Sequence, residues 1–422
     1  MESRASKVRD SNLELLRIIC MLLIVGYHFI GGTESWIVYP QFSTFNLVAY
    51  HCIGLWGQAA VLCFVMITGY FMINSKVRLS KIIRLAAETW FYSIGLTAIP
   101  VWAGLAELNP DMTLRTFFPL MFRSYWFITD YIILLLISPI LNRLMHVLSR
   151  RELGYSIVVM LFVLFVWGGM TEFGFVQTIP FMILFYMIAG YIRLYPNRVT
   201  ESRKIAPAVL ISCVVFGIVL IAVMNDIYQG TAKPLKLFEE DSTLLWFIII
   251  SFLIAIAIPV SGIRYRWEIL GVFLIIVLFA SAFIYLPYRG LGIRGFMEER
   301  YSIMIGLATV SLFLTFKNLN LGRNRAINWL AGGVLGVYLI HNHIYFSAYY
   351  WTELCPVDML MDDMFLPKAL ILLVSIVLVC IIVDKLRGWL AGPIVRSGPV
   401  MHFLRKMDDA YDRLMNKNEE SG

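Results

Sequence analysis

The stretch LELLRIICMLLIVGYHF, from Leu13 to Phe29, is long and apolar enough to span a membrane, yet it contains Arg17 near its start and His28 near its end. Eleven helical steps of ~100° bring these two residues to within ~20° of one face, about 16 Å apart along the helix. An ionisable side chain at membrane depth usually faces the interior of a helix bundle or a water-filled cavity. The stretch therefore predicts a membrane helix that lines a polar passage.

Each residue on that face also has a simpler interpretation. Arg17 alone is compatible with a side chain that extends to the membrane surface and keeps its charge in water. His28 alone is compatible with an interfacial histidine bonded to a nearby carbonyl. Glu14, one turn before Arg17, adds an acid to the same face. Because all three residues share one face, we favour the polar passage.

The composition extends this interpretation to the whole chain. Of its 422 residues, 59% are hydrophobic and only 15% are charged. Uncharged runs such as ISCVVFGIVLIAVM and ALILLVSIVLVCIIV recur along the chain, and a run of about 20 residues matches a hydrocarbon core of ~30 Å. We expect an all-α, polytopic bundle of 10–12 transmembrane helices, since two of the predicted spans are short. The predicted spans cover residues 13–30, 46–73, 82–106, 126–142, 154–170, 178–192, 205–224, 243–260, 267–287, 301–316, 330–350 and 367–383.

The net charge of +7 is distributed as a topology signal. With the N-terminus inside, most of the 35 basic residues fall on the inner side, as the positive-inside rule requires. We therefore predict that both termini are cytoplasmic, and we expect a lipid bilayer rather than a nucleic acid as the partner. The basic residues on the predicted outer side are Arg115, Arg123, Lys233, Lys236, Arg289, Arg294, Arg300 and Lys368.

The chain is predicted to form one membrane domain, residues 1–395, followed by a charged cytoplasmic tail, residues 396–422, with the capacity for a short surface helix. The longest predicted outer connections are about twenty residues, too short for a folded extracellular domain. The six cysteines are scattered without metal-ligand spacing, so we interpret them as small apolar packing residues and expect no metal site.

Two segments in the first part of the chain resemble a known family. LELLRIICMLLIVGYH is similar to the first helix of acyltransferase family 3, integral membrane O-acyltransferases of bacterial surface glycans, with its L-D-x-L-R pattern and an arginine followed by a histidine. Glu14 stands where the family more often has aspartate. FVMITGYFMINS, residues 64–75, resembles the family's F-x-x-S-G-F-L-I segment, with Thr68 in place of the serine. A basic stretch, KVRLSKIIRL, follows it, as in the family.

Two later segments extend the resemblance. SYWFITDYIILLLISPILNRL, residues 124–144, resembles the W-F-x-x-x-Y-x-x-L-Y-x-x-S-P segment of members that modify surface polysaccharides. LGVYLIHNHIYF, residues 335–346, resembles the late G-x-Y-L-I-H element. The order and spacing of the segments, rather than any one of them, make the resemblance specific.

The resemblance implies transfer of an acyl group, usually acetyl, from cytoplasmic acyl-CoA to a hydroxyl of a cell-surface polysaccharide or lipid-linked sugar. It also implies a multi-pass protein of the bacterial plasma (inner) membrane. Acyl-CoA would be a co-substrate, and no cofactor would be bound permanently.

The first helix would then supply the chemistry. A neutral imidazole accepts a proton at working pH, so His28 is the candidate base, and its role as a carrier of the acyl group stays open. Arg17 would hold a phosphate or the pantetheine arm of the donor, and Glu14 would orient Arg17. No G-x-S-x-G nucleophile motif supports a serine acyl-enzyme.

Four cations follow the second apolar segment and are candidates for binding the coenzyme phosphates: Lys76, Arg78, Lys81 and Arg84. A helix start at this place would add its own partial positive charge. Two simpler interpretations stay open. The four residues would also satisfy the positive-inside rule, and Arg84 would also pair with Glu88 four residues later.

The late segment adds candidates for the acceptor side of the cavity. His341 is expected in the outer half of the membrane, where it would approach His28 or share a cavity with it. Tyr338 lies one turn earlier and belongs to the same element. A buried packing histidine is the alternative for His341. His343 points about 200° away on a continuous helix and is expected to be peripheral.

Trp126 and Asp130 complete the acceptor candidates. Trp126 lies at the predicted outer interface, where an aromatic belt explains it as well as stacking on a sugar ring does. Asp130 is an acid inside a span. It is interpreted either as a structural partner of Arg123 or as a carboxylate that binds the acceptor.

Two other classes of membrane protein compete with the transferase. A secondary transporter would share the layout of twelve spans, but no internal repeat and no matched pair of interrupted helices is visible in the sequence. A polysaccharide flippase or polymerase would act in the same pathway, but polymerases of that kind usually carry a large outer loop.

Overall fold

A computed structural model of the chain describes residues 11–33, 43–105, 107, 109–167, 178–228, 302–354 and 357–416. These residues are all-helical and contain no β-strand, which confirms the all-α class.

The described residues form fifteen α-helices. A π-helix, Phe162–Trp167, continues α7, and a 3₁₀ helix, Val357–Met361, precedes α14. In chain order the α-helices are α1 (Ser11–Thr33), α2 (Thr44–Gly54), α3 (Gly57–Met72), α4 (Leu79–Trp102), α5 (Pro110–Phe117), α6 (Trp126–Val147), α7 (Arg150–Leu161), α8 (Thr178–Leu194), α9 (Ile205–Tyr228), α10 (Ile303–Lys317), α11 (Arg325–Ala331), α12 (Val334–His341), α13 (Ile344–Glu353), α14 (Phe365–Val395) and α15 (Gly398–Asn416).

Within the described residues, four helical segments are long and apolar enough to cross a membrane: Ser11–Thr33, Phe45–Met72, Trp126–Val147 and Phe365–Val395. Three shorter apolar helical segments, Thr178–Leu194, Ile205–Val219 and Met304–Lys317, accompany them. The predicted spans 243–260 and 267–287 lie outside the described residues. The total number of spans and the side on which the termini lie stay predictions.

The predicted span at residues 330–350 is not one continuous helix. The chain forms three short helices there, α11 to α13, with breaks at Gly332–Gly333 and at Asn342–His343. Two consecutive glycines carry no side chain that would favour continuation of the helix, so the first break is inexpensive. The breaks change the direction in which the side chains after each of them point.

Helix α1 lies at the centre of the bundle and contacts α2, α3, α10, α11, α12, α13 and α14. Small residues bring some of the neighbours close. A Cβ atom at Gly26 would lie 2.7 Å from the carbonyl oxygen of Ile53, and one at Gly69 of α3 would lie 2.5 Å from the carbonyl oxygen of Tyr186 on α8. Because α1 is surrounded in this way, its polar side chains lie inside the protein.

The C-terminal helix α15 returns to the start of α4. The backbone N–H of Ser80 donates to one carboxylate oxygen of Asp408 at 2.8 Å, and the Ser80 hydroxyl donates to the other at 2.7 Å. The described part of the tail is therefore helical and packed against the bundle. The division into a membrane domain and a tail stays a prediction.

Candidate functional site

One face of α1 forms a wall of a cavity of about 290 Å³. Its four lining residues are Arg17, Met21, Ile24 and His28. Their spacing of four, three and four residues is that of one helix face. The structure therefore places Arg17 and His28 on the wall of one cavity, as the spacing of these two residues predicts.

The other walls come from helices that surround α1. Helix α6 gives Trp126, Phe127, Ile128 and Tyr131, and α3 gives Val61, Phe64 and Thr68. The remaining lining residues are Leu85 of α4, Ala331 of α11, and Val334, Leu335 and Tyr338 of α12. Apolar side chains thus enclose a few polar groups, as in most sites for small molecules.

The imidazoles of His28 and His341 meet beside this cavity. Nδ1 of His28 lies 2.8 Å from Nε2 of His341, and Nδ1 of His341 lies 2.6 Å from the carbonyl oxygen of Val337. His341 is fully buried and does not itself line the cavity. His28 does line it.

These two contacts assign the protons of the neutral pair. A carbonyl oxygen only accepts, so Nδ1 of His341 carries a proton and its Nε2 has a free lone pair. That lone pair accepts the Nδ1–H of His28. Nε2 of His28 is then the nitrogen with a free lone pair, and it is the basic atom of the pair. Of the two rings, that of His28 lines the cavity. The arrangement is that of a general base held in one tautomer by a second group.

A polar cluster holds α12 in place. A Cβ atom at Gly336 would lie 2.4 Å from Cβ of Asp384 on α14, so these two helices touch at that glycine. Asp384 accepts from the hydroxyl of Tyr92 at 2.8 Å and from Arg387 at 2.8 and 3.0 Å. Arg387 also donates to Glu88 at 2.6 Å. Helices α4, α12 and α14 are thereby joined behind the histidine pair.

Arg17 is held by the acid that precedes it. Its Nη1 donates to Oε1 of Glu14 at 2.7 Å. The Glu14 side chain is 10% exposed and the Arg17 side chain is 31% exposed, and only Arg17 lines the cavity. The contact agrees with the predicted orienting role of Glu14. Arg17 faces the cavity, whereas an anchor would extend to the membrane surface.

The four cations predicted to bind coenzyme lie elsewhere. Lys76, Arg78, Lys81 and Arg84 are exposed around the start of α4, and none of the four lines the cavity. The helix start that was expected to receive a phosphate is occupied by Asp408, as described above. Arg84 donates to the sulfur of Met401 on α15 at 3.2 Å. The predicted pairing of Arg84 with Glu88 is not observed, because Glu88 faces Arg387.

The remaining predicted residues divide between the cavity and the protein interior. Trp126 and Tyr338 line the cavity. Asp130 does not; it is buried and accepts from Arg123 at 2.8 Å, which is the arrangement of a structural partner. The expectation that His343 is peripheral is wrong. Its ring is 2% exposed, and Nε2 contacts the Thr97 hydroxyl at 3.2 Å. The break after Asn342 turns His343 inward.

Thr68 and Tyr131 are cavity residues that were not predicted from the sequence. Their hydroxyls lie 2.9 Å apart on the cavity wall, and the Tyr131 ring stacks on Phe127. Both residues lie in segments that resemble the family, and this position is the feature of the sequence that could have identified them. Among the described residues, no group of three or more His, Cys, Asp or Glu side chains is arranged to hold a metal ion.

The chain matches a known protein family. A family model described as an acyltransferase domain, that of acyltransferase family 3, matches residues 10–259, which is more than half of the chain. The matched part includes α1, α3, α4 and α6, while Tyr338 and His341 lie beyond it. No curated protein and no solved structure matches the chain.

Proposed function

Because the chain belongs to acyltransferase family 3 and is a membrane acyltransferase, we propose that it transfers an acyl group, acetyl in the first instance, from cytoplasmic acyl-CoA. The acceptor is a hydroxyl of a cell-surface polysaccharide or of a lipid-linked sugar. The protein would act in the bacterial inner membrane, with the donor and the acceptor meeting in the cavity beside α1.

The observation that carries this proposal is the contact of 2.8 Å between His28 and His341 at the cavity wall. An alcohol is a weak nucleophile at neutral pH and needs a base to remove its proton as it attacks. Nε2 of His28 is the group that would take this proton. His341 would accept the hydrogen bond from Nδ1–H of His28 and stabilise the imidazolium as it forms. A transporter or a flippase would not require this arrangement.

Arg17 supports the donor side of the same proposal. Arg17 and His28 lie on the same cavity wall, eleven residues and about 16 Å of helix apart. A guanidinium binds phosphate and carbonyl oxygens through paired N–H donors. Arg17 would therefore hold the pantetheine arm or a phosphate of acyl-CoA, and the acyl carbon would reach His28. Glu14 would keep the guanidinium in this orientation.

The reaction is tested with purified protein in lipid nanodiscs and radiolabelled acetyl-CoA. We expect acetyl-CoA to bind and His28→Ala to abolish transfer of the label while membrane insertion and thermal stability are kept. His402→Ala, a change at an exposed histidine of α15, is the matched control and should retain transfer. Full activity of His28→Ala would refute the mechanism.

The acceptor is identified by mass spectrometry of surface glycans from cells with and without the gene. The expected result is the loss of the mass of one acetyl group per modified sugar, restored by the wild-type gene and not by the His28→Ala gene. If the surface glycans are unchanged while the purified enzyme is active, the acceptor belongs to another class of hydroxyl compound.

A further inference from the structure

Tyr338 has a buried hydroxyl that the fold does not use. The residue is 4% exposed, and its hydroxyl has no hydrogen-bond partner among the residues that the structure describes. The backbone of Phe127 and the side chain of Asn342 lie near it, outside the distance and angle of a formed hydrogen bond. Buried hydroxyls are nearly always paired, since an unpaired one costs stability. This exception therefore requires a reason.

Tyr338 also belongs to the wall of the cavity that His28 and Arg17 line. The residue forms part of that wall, and no described residue completes a hydrogen bond with its hydroxyl, so a molecule bound in the cavity is the partner to consider. On the basis of the acyl transfer proposed above, we infer that Tyr338 is a further catalytic residue. Its hydroxyl donates a hydrogen bond to the carbonyl oxygen of the thioester as negative charge develops there.

Three aromatic rings surround the ring of Tyr338 and hold it in place. The Tyr338 ring lies 6.1 Å from that of Tyr125, 5.9 Å from that of Phe127 and 6.2 Å from that of His341, in tilted or edge-to-face contacts. Such contacts restrict the ring to one orientation. Tyr338 and His341 are three residues apart on α12, so they project from the same side of that helix. One helix turn thus supplies both the hydroxyl and the partner of the base.

The reaction balances with these groups. The acceptor oxygen forms a bond to the thioester carbonyl carbon, and Nε2 of His28 takes the acceptor's proton. The carbonyl π electrons move to oxygen, where Tyr338 O–H donates to the oxyanion. The oxyanion then collapses, the carbon–sulfur bond breaks, and the leaving thiolate takes the proton from His28. The products are an ester and free coenzyme A, and Tyr338 keeps its own proton throughout.

Tyr125 provides a matched control inside the same aromatic group. It is buried to a similar degree, but its hydroxyl donates to the carbonyl oxygen of Leu339 at 3.2 Å and it does not line the cavity. Changing either tyrosine to phenylalanine removes one hydroxyl and keeps the ring. The two changes therefore separate the role of a cavity donor from that of a structural hydrogen bond.

The experiment measures transfer from acetyl-CoA, coenzyme binding and thermal stability for the wild type, Tyr338→Phe and Tyr125→Phe. We expect Tyr338→Phe to lower the maximal rate about 10²–10³-fold, the range for loss of one oxyanion donor, with coenzyme affinity and melting temperature kept. Tyr125→Phe should keep the rate and lower the melting temperature. A Tyr338→Phe rate within threefold of the wild type overturns the inference, as do equal losses in the two variants. A wild-type protein without transferase activity overturns the proposed function itself and the inference with it.

Discussion

Nδ1 of His28 and Nε2 of His341 lie 2.8 Å apart, although 313 residues separate them along the chain. His28 is on the central helix α1, and His341 ends the short helix α12. Only His28 reaches the cavity. Nδ1–H of His341 donates to the carbonyl oxygen of Val337, and Nδ1–H of His28 donates to Nε2 of His341. The two hydrogen bonds therefore fix the tautomer of both rings.

The first prediction concerns this order. His341→Leu leaves the Nδ1–H of His28 without its acceptor and frees the ring to rotate, so we expect the maximal rate to fall roughly 10²-fold or more. His341→Gln keeps an oxygen that accepts this N–H and should recover part of the rate. The pH dependence of the maximal rate is the second readout, because only a partner of the base should change it. Equal rates and equal pH profiles in the two variants would contradict a positioning role.

The second prediction separates a base from an acyl carrier. With His28 as a base, acetyl-CoA and the purified protein should release coenzyme A only at the slow rate of hydrolysis until an acceptor hydroxyl is added. An acyl carrier would release one equivalent per protein molecule without acceptor. Rapid-quench measurement of free thiol decides between them, with His28→Ala as the control. A fast stoichiometric burst in the wild type alone would favour the carrier.

Much of the site follows from the sequence because its parts lie on continuous helices. The spacing of Arg17 and His28 fixes their common face on α1, and the structure adds Met21 and Ile24 at the expected positions between them. The segments that resemble the family also supply Thr68, Trp126 and Tyr338 to the same cavity. Helical periodicity was sufficient for Arg17 and His28, since no break separates them. Trp126 and Tyr338 were predicted as acceptor-side residues from their places in the matching segments, whereas Thr68 lies in such a segment but was not predicted as a site residue.

Periodicity fails where a helix ends. The prediction for His343 assumed that the helix of His341 continues, and the break at Asn342 resets the angle of every later side chain. Contacts between distant segments likewise cannot be predicted from local sequence patterns. Asp408 reaches Ser80 across 328 positions, and Glu88 pairs with Arg387 rather than with a residue of its own helix.

The third prediction tests the cations at the start of α4. If they bind the coenzyme phosphates, Lys81→Ala combined with Arg84→Ala should weaken coenzyme binding roughly 2–5-fold per charge, as for exposed ion pairs, and less at high salt. Asp408→Asn should strengthen binding, because it removes a negative charge from the same place. Titration calorimetry with coenzyme A measures both effects.

The control for this pair of changes is Arg151→Ala, at an exposed residue of α7, which should leave the isotherm unaltered. The rate at saturating donor should also be kept in the double variant, since neither Lys81 nor Arg84 lines the cavity. An unchanged isotherm in the double variant would refute the assignment of these cations to the coenzyme.

The fourth prediction uses the contact of α12 with α14. Gly336→Ala places a Cβ atom 2.4 Å from Cβ of Asp384, so α12 must move away from α14, at a cost of about 1–3 kcal/mol in the free energy of unfolding. Because α12 carries both Tyr338 and His341, the rate per folded molecule should fall as well, by about 10²-fold for a displacement of ~1 Å.

Gly388→Ala on α14 is the matched control. Its added Cβ meets no described atom within 4 Å, and alanine favours a helix by up to ~1 kcal/mol over glycine, so stability and rate should be kept or improved. Thermal unfolding in nanodiscs and the transfer assay measure the two effects, and a fully active Gly336→Ala would show that the position of α12 does not limit the chemistry.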